Sequence, residues 1–142
     1  MPVLEQVLEK YPHDVKIAFK NYPLRNHKFA MKAAMAALAA RSQGKFWEFH
    51  DELFKNYNKL NDQKIREIAL GLGFDQAEFE KKMKDPKLTA MIRQDLRDGV
   101  QAGVRGTPSI FINGRRLKNR SLQGFQAAID KELQRLGKKT GS

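Results

Sequence analysis

Apolar residues fall at helical spacing along most of this chain and alternate at only two places. Val3, Leu4, Val7 and Leu8 recur every three to four residues until Tyr11-Pro12-His13-Asp14 stops the pattern, which predicts a helix over residues 3–10. Val15, Ile17 and Phe19 then alternate with Lys16, Ala18 and Lys20, the period of a strand with one buried face, and Pro23 ends it. A long helix is predicted from about His27 to Ser42, with Phe29, Ala33, Ala36, Ala37 and Ala40 as a small-residue packing face and Gly44 as its C-cap. The next helix, Lys45 to about Tyr57, carries Phe46, His50, Leu53 and Phe54 on one stripe, flanked by Trp47. Asp62 is placed to cap a third helix of this block, burying Ile65, Ile68, Ala69 and Leu72, with Gly71 and Gly73 at its end. Asp75 with Glu78 opens a fourth that buries Phe79 and Met83. Pro86 opens a fifth, where Leu88, Ile92, Leu96, Gly99 and Gly103 fall on neighbouring turns.

The second alternating stretch follows at Gly103 to Arg115. Proline lacks an N–H and is tolerated at a strand start, so Thr107-Pro108 reads as the entry to a strand over Ser109 to Asn113, and as a plausible cis bond. Ile110 and Ile112 face one way, and Ser109, Phe111 and Asn113 the other. Asn113-Gly114 suits a two-residue type I′ turn into a short return strand at Arg115 to Leu117. Ser121 then caps a last helix with Leu122, Phe125, Ile129, Leu133 and Leu136 at 3.6-residue spacing, and the basic tail beyond is expected to fray.

Length allows one domain with a core, no run is long and apolar enough for a membrane span, and Met1 opens into a helix with no signal-peptide pattern. The net charge is +11, and it is unevenly placed. Lys and Arg outnumber Asp and Glu by 7 to 3 over residues 1–44, balance at 11 to 11 over 45–100, and lead by 9 to 2 over 101–142. Such an excess permits contact with phosphates, although no aromatic-interleaved strand for stacking bases accompanies it. Cysteine is absent, which excludes a disulfide, a thiol nucleophile and a thiolate metal site within this chain.

Four stretches, in this order, resemble the DsbA-like branch of thioredoxin-fold disulfide oxidoreductases (protein disulfide isomerase family). They are Pro2 to Pro12, Phe19-Lys20-Asn21-Tyr22-Pro23-Leu24, Gln43 to Asp51 with Lys45-Phe46-Trp47-Glu48-Phe49-His50 at its centre, and Gly103 to Arg115. The resemblance implies an α/β thioredoxin-like fold, helix-rich with a short sheet. It also implies a single domain over residues 1–142 with a helical insertion at about 27–102. In that family a Cys-x-x-Cys pair opens the first helix and a cis-proline loop lies against it, offering backbone to protein or peptide thiol substrates. Gly106, Thr107 and Pro108 match that loop and are the candidate substrate-binding residues. The parent enzyme would exchange disulfides in an extracytoplasmic (periplasmic) compartment, using two cysteines and no cofactor.

Pro2 aligns a few residues after the second family cysteine, so the chain is expected to be truncated, lacking the first central strand, the Cys-x-x-Cys and the first helical turn. Disulfide exchange needs a thiolate, so this chain is expected to be redox-inactive. The lost strand would leave two unpaired edges, which predicts either direct pairing of the Val15 to Lys20 and Ser109 to Asn113 strands or a domain-swapped or strand-paired homodimer. The alternative function is a non-catalytic thioredoxin-like peptide or protein-binding module. A basic nucleic-acid binder is the least favoured reading.

Other candidates read better as structure. His13, His27 and His50 share no metal-ligand spacing, and His50 reads as a core or cap residue. Trp47, Phe46, Phe49 and Phe54 are suited to lining a groove, but helical packing accounts for them. Asp51 with Glu52 and Glu78 with Glu80 are adjacent charges on regular helices, not two carboxyls facing a cleft. Arg115, Arg116, Lys118 and Arg120 read as a solvated edge that keeps the hairpin from aggregating.

Overall fold

The computed structural model describes residues 2–24 and 28–138. Its elements are, in order, helices α1 (Pro2–Lys10), α2 (Ala30–Arg41), α3 (Phe46–Lys55), a 3-10 turn (Tyr57–Lys59), helices α4 (Asp62–Gly71), α5 (Gln76–Met83) and α6 (Pro86–Gln101), strands β1 (Phe111–Ile112) and β2 (Arg115–Arg116), and helix α7 (Leu122–Arg135). The fold is helix-rich with a short sheet, and its contacts divide into two compact units: Met1–Phe19 with Gly106–Ser142, and Lys20–Arg105. The second is inserted in the sequence of the first.

In the first unit α1 and α7 pack together, burying Val7, Tyr11, Phe125, Ile129 and Leu133, with Val15, Ile110, Ile112 and Leu117 packed on them. The Tyr11 hydroxyl donates to Asp130 at 2.8 Å. Burial, reinforced by that carboxylate, pushes the Tyr11 phenol up to about 12. The Ser121 Oγ caps α7 by accepting from the Gly124 N–H at 3.1 Å. Glycine is favoured at position 124 because a Cβ there would overlap the Asn119 carbonyl oxygen.

The second unit is built around α2, which touches α3, α4, α5 and α6. Every side chain from Met35 to Ala40 is buried, and the alanines let the neighbouring helices approach closely. Phe49, Phe74 and Phe79 fill the space on one side, ring against ring at 5.5–5.7 Å. Asn61, Asp75 and Asp85 cap α4, α5 and α6 through their side chains, the last with Pro86 at the first helical position. Residues 20–22 are tied to α6: Lys20 pairs with Asp98 at 2.9 Å, and the Asn21 N–H and Nδ2 both donate to Asp95. The Tyr22 hydroxyl donates to the Val104 carbonyl at 2.9 Å.

Several expectations are corrected. Residues 15–20 form no strand. Val15 and Ile17 keep the expected half-buried alternation, but a strand needs a neighbour for its backbone, and among the described residues the sheet is β1 with β2 alone. The direct pairing of 15–20 with the hairpin strand is therefore absent there. The hairpin strands are shorter than predicted, Phe111–Ile112 and Arg115–Arg116, although the Leu117 N–H still reaches the Ile110 carbonyl at 2.8 Å. Helix α2 begins at Ala30 with Phe29 at its N-cap, and His27 lies outside the described residues, as does the tail from Lys139. Asn61 caps α4 in place of Asp62, which becomes its first residue. On α3 the inward residues are Phe49, His50 and Leu53, while Phe54 is 68% exposed.

Candidate functional site

The loop that enters β1 is a bend over Gly106 to Pro108, with the Thr107-Pro108 bond cis. Thr107 and Pro108 are exposed. Three polar contacts hold the bend from behind. The Ser109 Oγ donates to the Gly106 carbonyl at 2.7 Å, Arg116 Nη2 donates to the Ser109 Oγ at 3.3 Å, and Arg120 Nη1 donates to the Pro108 carbonyl at 3.1 Å. At the far end Asn113 has φ 48° and Gly114 φ 79°, the left-handed pair that a type I′ turn requires. Asn113 Nδ2 also donates to Glu132 at 3.4 Å. Arg135, with Asn113 and Arg115 adding to it, holds the buried Glu132 carboxyl below the usual carboxylate range.

Register decides what the hairpin leaves open. Ile110 and Leu117 are a hydrogen-bonded pair, and such pairs alternate with non-bonded ones along an antiparallel ladder. Phe111, opposite Arg116, is thus a non-bonded position whose N–H and C=O point away from β2. Thr107 makes no backbone hydrogen bond with any of the described residues. The site therefore consists of an exposed loop and strand edge with free backbone groups, locked in place by two arginines.

No titratable side chain among the described residues is poised at this edge as an acid, base or nucleophile. His13 is exposed in the turn after α1, and no group of three His, Cys, Asp or Glu able to hold a metal occurs among the described residues. His50 sits in α3 within an aromatic group, 5.9 Å from Phe46, 5.6 Å from Trp47 and 4.7 Å from Phe54 between ring centroids. Burial pushes its pKa below 6.5 against the opposing pull of Asp51, 3.5 Å away. The carboxylates Glu52 and Glu80 pair with Lys55 and Arg66, and Glu78 sits exposed in the first turn of α5. Trp47 (45% exposed) and Phe54 each pack a ring against His50 and leave the rest of the side chain at the surface. Sequence reasoning missed Arg116 and Arg120 as loop supports, because their partners lie 7 and 12 residues away with no spacing signal between them.

The chain belongs to the thioredoxin family, whose model, described as Thioredoxin, matches residues 2–131. Within that family its fold is DsbA-like. The thiol-disulfide exchange protein alpha-DsbA2 from Wolbachia pipientis superposes with a TM-score of 0.78 at 23% identity, over 92% of this chain and 72% of that one. A thioredoxin-like oxidoreductase from Silicibacter pomeroyi DSS-3 superposes with a TM-score of 0.76 at 26% identity, over 94% and 78%. Among curated relatives, the Na(+)/H(+) antiporter NhaA 3 of Salinispora tropica is 34% identical over 116 residues, 81% of this chain. The NhaA 1 of Salinispora arenicola is 32% identical over the same share. The chain spans only 18% of the length of these two relatives.

Proposed function

We propose that this chain is the body of a DsbA-family thiol-disulfide exchange protein, and that its own part in the reaction is to hold an extended protein or peptide substrate against Gly106, Thr107 and Pro108. The observation that carries this reading is the exposed Thr107, whose backbone N–H and C=O are free among the described residues, on a loop fixed by Arg116 and Arg120. Free, pre-positioned backbone groups are what an extended peptide needs in order to add to a sheet edge. The chain has no cysteine, and exchange requires a thiolate, so the 142 residues alone are redox-inactive. The reaction itself would belong to an extracytoplasmic compartment.

Gly106 supplies the test. A Cβ there meets nothing within 4 Å, so Gly106→Val has room for its first carbon and places a branched side chain beside Thr107, with an unchanged melting temperature checking that the fold is kept. With an unfolded, thiol-blocked polypeptide as ligand, the variant should bind about fivefold more weakly, the equivalent of one backbone hydrogen bond of about 1 kcal/mol. Unchanged binding overturns the site.

The alternative is a non-catalytic peptide-binding module using the same loop. The coding sequence immediately upstream of Met1 separates the two: an in-frame strand followed by Cys-x-x-Cys supports exchange, and its absence supports the module. A strand-paired homodimer is a further proposal, supported by the free outer edge of β1. A light-scattering mass of one chain at high concentration would contradict it. The antiporter relatives support a working position beside a membrane-embedded transporter, although no helix among the described residues is long and apolar enough to cross a membrane itself.

A further inference from the structure

The hairpin and α7 border a recess of about 240 Å³ lined by Ile112, Leu117, Arg115, Lys118 and Lys131, with Arg116 at its rim and its side chain turned to Ser109. All four cations are exposed. The one carboxylate at the recess, Glu132, is already engaged by Arg135 at 2.8 Å, by Arg115 at 3.5 Å and by Asn113. Arg116 is committed to Ser109, while Lys118 and Lys131 have no side-chain partner among the described residues. The other acid of residues 101–142, Asp130, accepts the Tyr11 hydroxyl. The excess of 9 basic over 2 acidic residues in this segment is therefore not neutralised locally, and much of it converges on one concave face that Ile112 and Leu117 also line.

We propose that this face docks on an anionic lipid surface, with Lys118 and Lys131 taking a lipid phosphate at the recess. Arg115, Lys118 and Lys131 gathered at one recess of a chain of net charge +11 form the kind of basic cluster that holds anionic leaflets. Nucleic acid shares the phosphate chemistry, but no aromatic side chain lines the recess to stack a base. The choice of lipid rests on the membrane-side position proposed above. It does not depend on the peptide-binding reading, which the Gly106→Val experiment tests separately.

The experiment is cosedimentation of the full chain with vesicles of phosphatidylcholine containing phosphatidylglycerol, against vesicles of phosphatidylcholine alone. Binding should require phosphatidylglycerol and be lost at high salt. At roughly a factor of five per cation, the double variant Lys118→Gln/Lys131→Gln should lower partitioning about 10- to 30-fold, with an unchanged far-ultraviolet spectrum. Lys84→Gln/Lys87→Gln removes the same charge from exposed positions that do not line the recess, at the end of α5 and the start of α6, and should change partitioning less than about twofold. Failure to bind phosphatidylglycerol vesicles at low salt overturns the proposal. So do equal losses from both double variants, which would mean net charge alone. Tighter binding to an unrelated DNA duplex at equal phosphate concentration would assign the face to nucleic acid. Displacement by inorganic phosphate beyond that by chloride at matched ionic strength would assign the recess to a soluble phosphate.

Discussion

Arg120 donates its Nη1 hydrogen bond to the carbonyl of Pro108 across 3.1 Å, so a residue just before the last helix fixes the conformation of the loop twelve residues upstream. Arg116 acts in the same way one step further along, through Ser109. The cations beside the hairpin are thus part of the candidate site and not merely a solvated edge. Exposed charged hydrogen bonds are weak individually, about 0.5–1 kcal/mol, so Arg120→Met is expected to weaken polypeptide binding about two- to fivefold. Its melting temperature should fall by no more than about 5 °C. Isothermal calorimetry beside a thermal scan checks both, and a large loss of stability with normal binding would contradict this role.

Two glycines should respond differently to alanine. At Gly99 the new Cβ would lie 2.6 Å from Tyr22 Cε2, an aromatic side chain that has to shift, with an expected cost of about 1–3 kcal/mol. At Gly124 the obstacle is the Asn119 backbone carbonyl, which cannot move without unseating the Ser121 cap of α7. Alanine gains about 1 kcal/mol of helix propensity at either position, which offsets part of each cost. Gly124→Ala should be the more destabilising of the two in urea unfolding. The reverse order would show that the start of α7 relaxes more easily than the packing around Tyr22.

His50 sets an acid dependence. Its folded pKa lies below 6.5 because burial disfavours the charged form, so the unfolded chain binds the proton more readily. The contribution of neutral His50 is fully present above 6.5 and is lost as pH falls from there toward its folded value. Asp62, Asp98 and Glu132 are held low by their cationic or hydrogen-bonding partners and give way only in the carboxylate range, further down. A His50→Phe variant should therefore flatten the fall in melting temperature just below pH 6.5 and leave the lower limb unchanged. An identical profile in the two proteins would remove His50 from the account.

Local signals in the sequence held at most turns and caps, the shift of the α4 cap from Asp62 to Asn61 being the exception. Asn113-Gly114 demands left-handed backbone, Ser121 and Asp75 cap the helices that follow them, and Pro86 starts α6. Val15 to Lys20 shows the limit. Its alternation survives in the half-buried Val15 and Ile17, but a ladder belongs to two segments, and no periodicity in one of them reveals whether the other is there. On α3 the predicted stripe through Phe46, His50, Leu53 and Phe54 fits the helical period about as well as the buried one through Phe49, His50 and Leu53. Only the neighbouring Phe74 and Phe79 select the second. The Gly106 to Pro108 loop was found from its resemblance to a family. The arginines that hold it make contacts that sequence spacing does not encode.

The central claim is that Gly106, Thr107 and Pro108 receive an extended polypeptide. Titrating the isotopically labelled chain with a thiol-blocked, unfolded polypeptide, and following each backbone amide by NMR, tests it most directly. The account predicts saturable shifts concentrated at Gly106, Thr107 and Phe111, whose backbone faces the open edge, with Ile110 and Leu117, already bonded to each other, moving little. Shifts centred on the exposed Trp47 and Phe54 of α3, with the Thr107 and Phe111 amides unmoved, would contradict it.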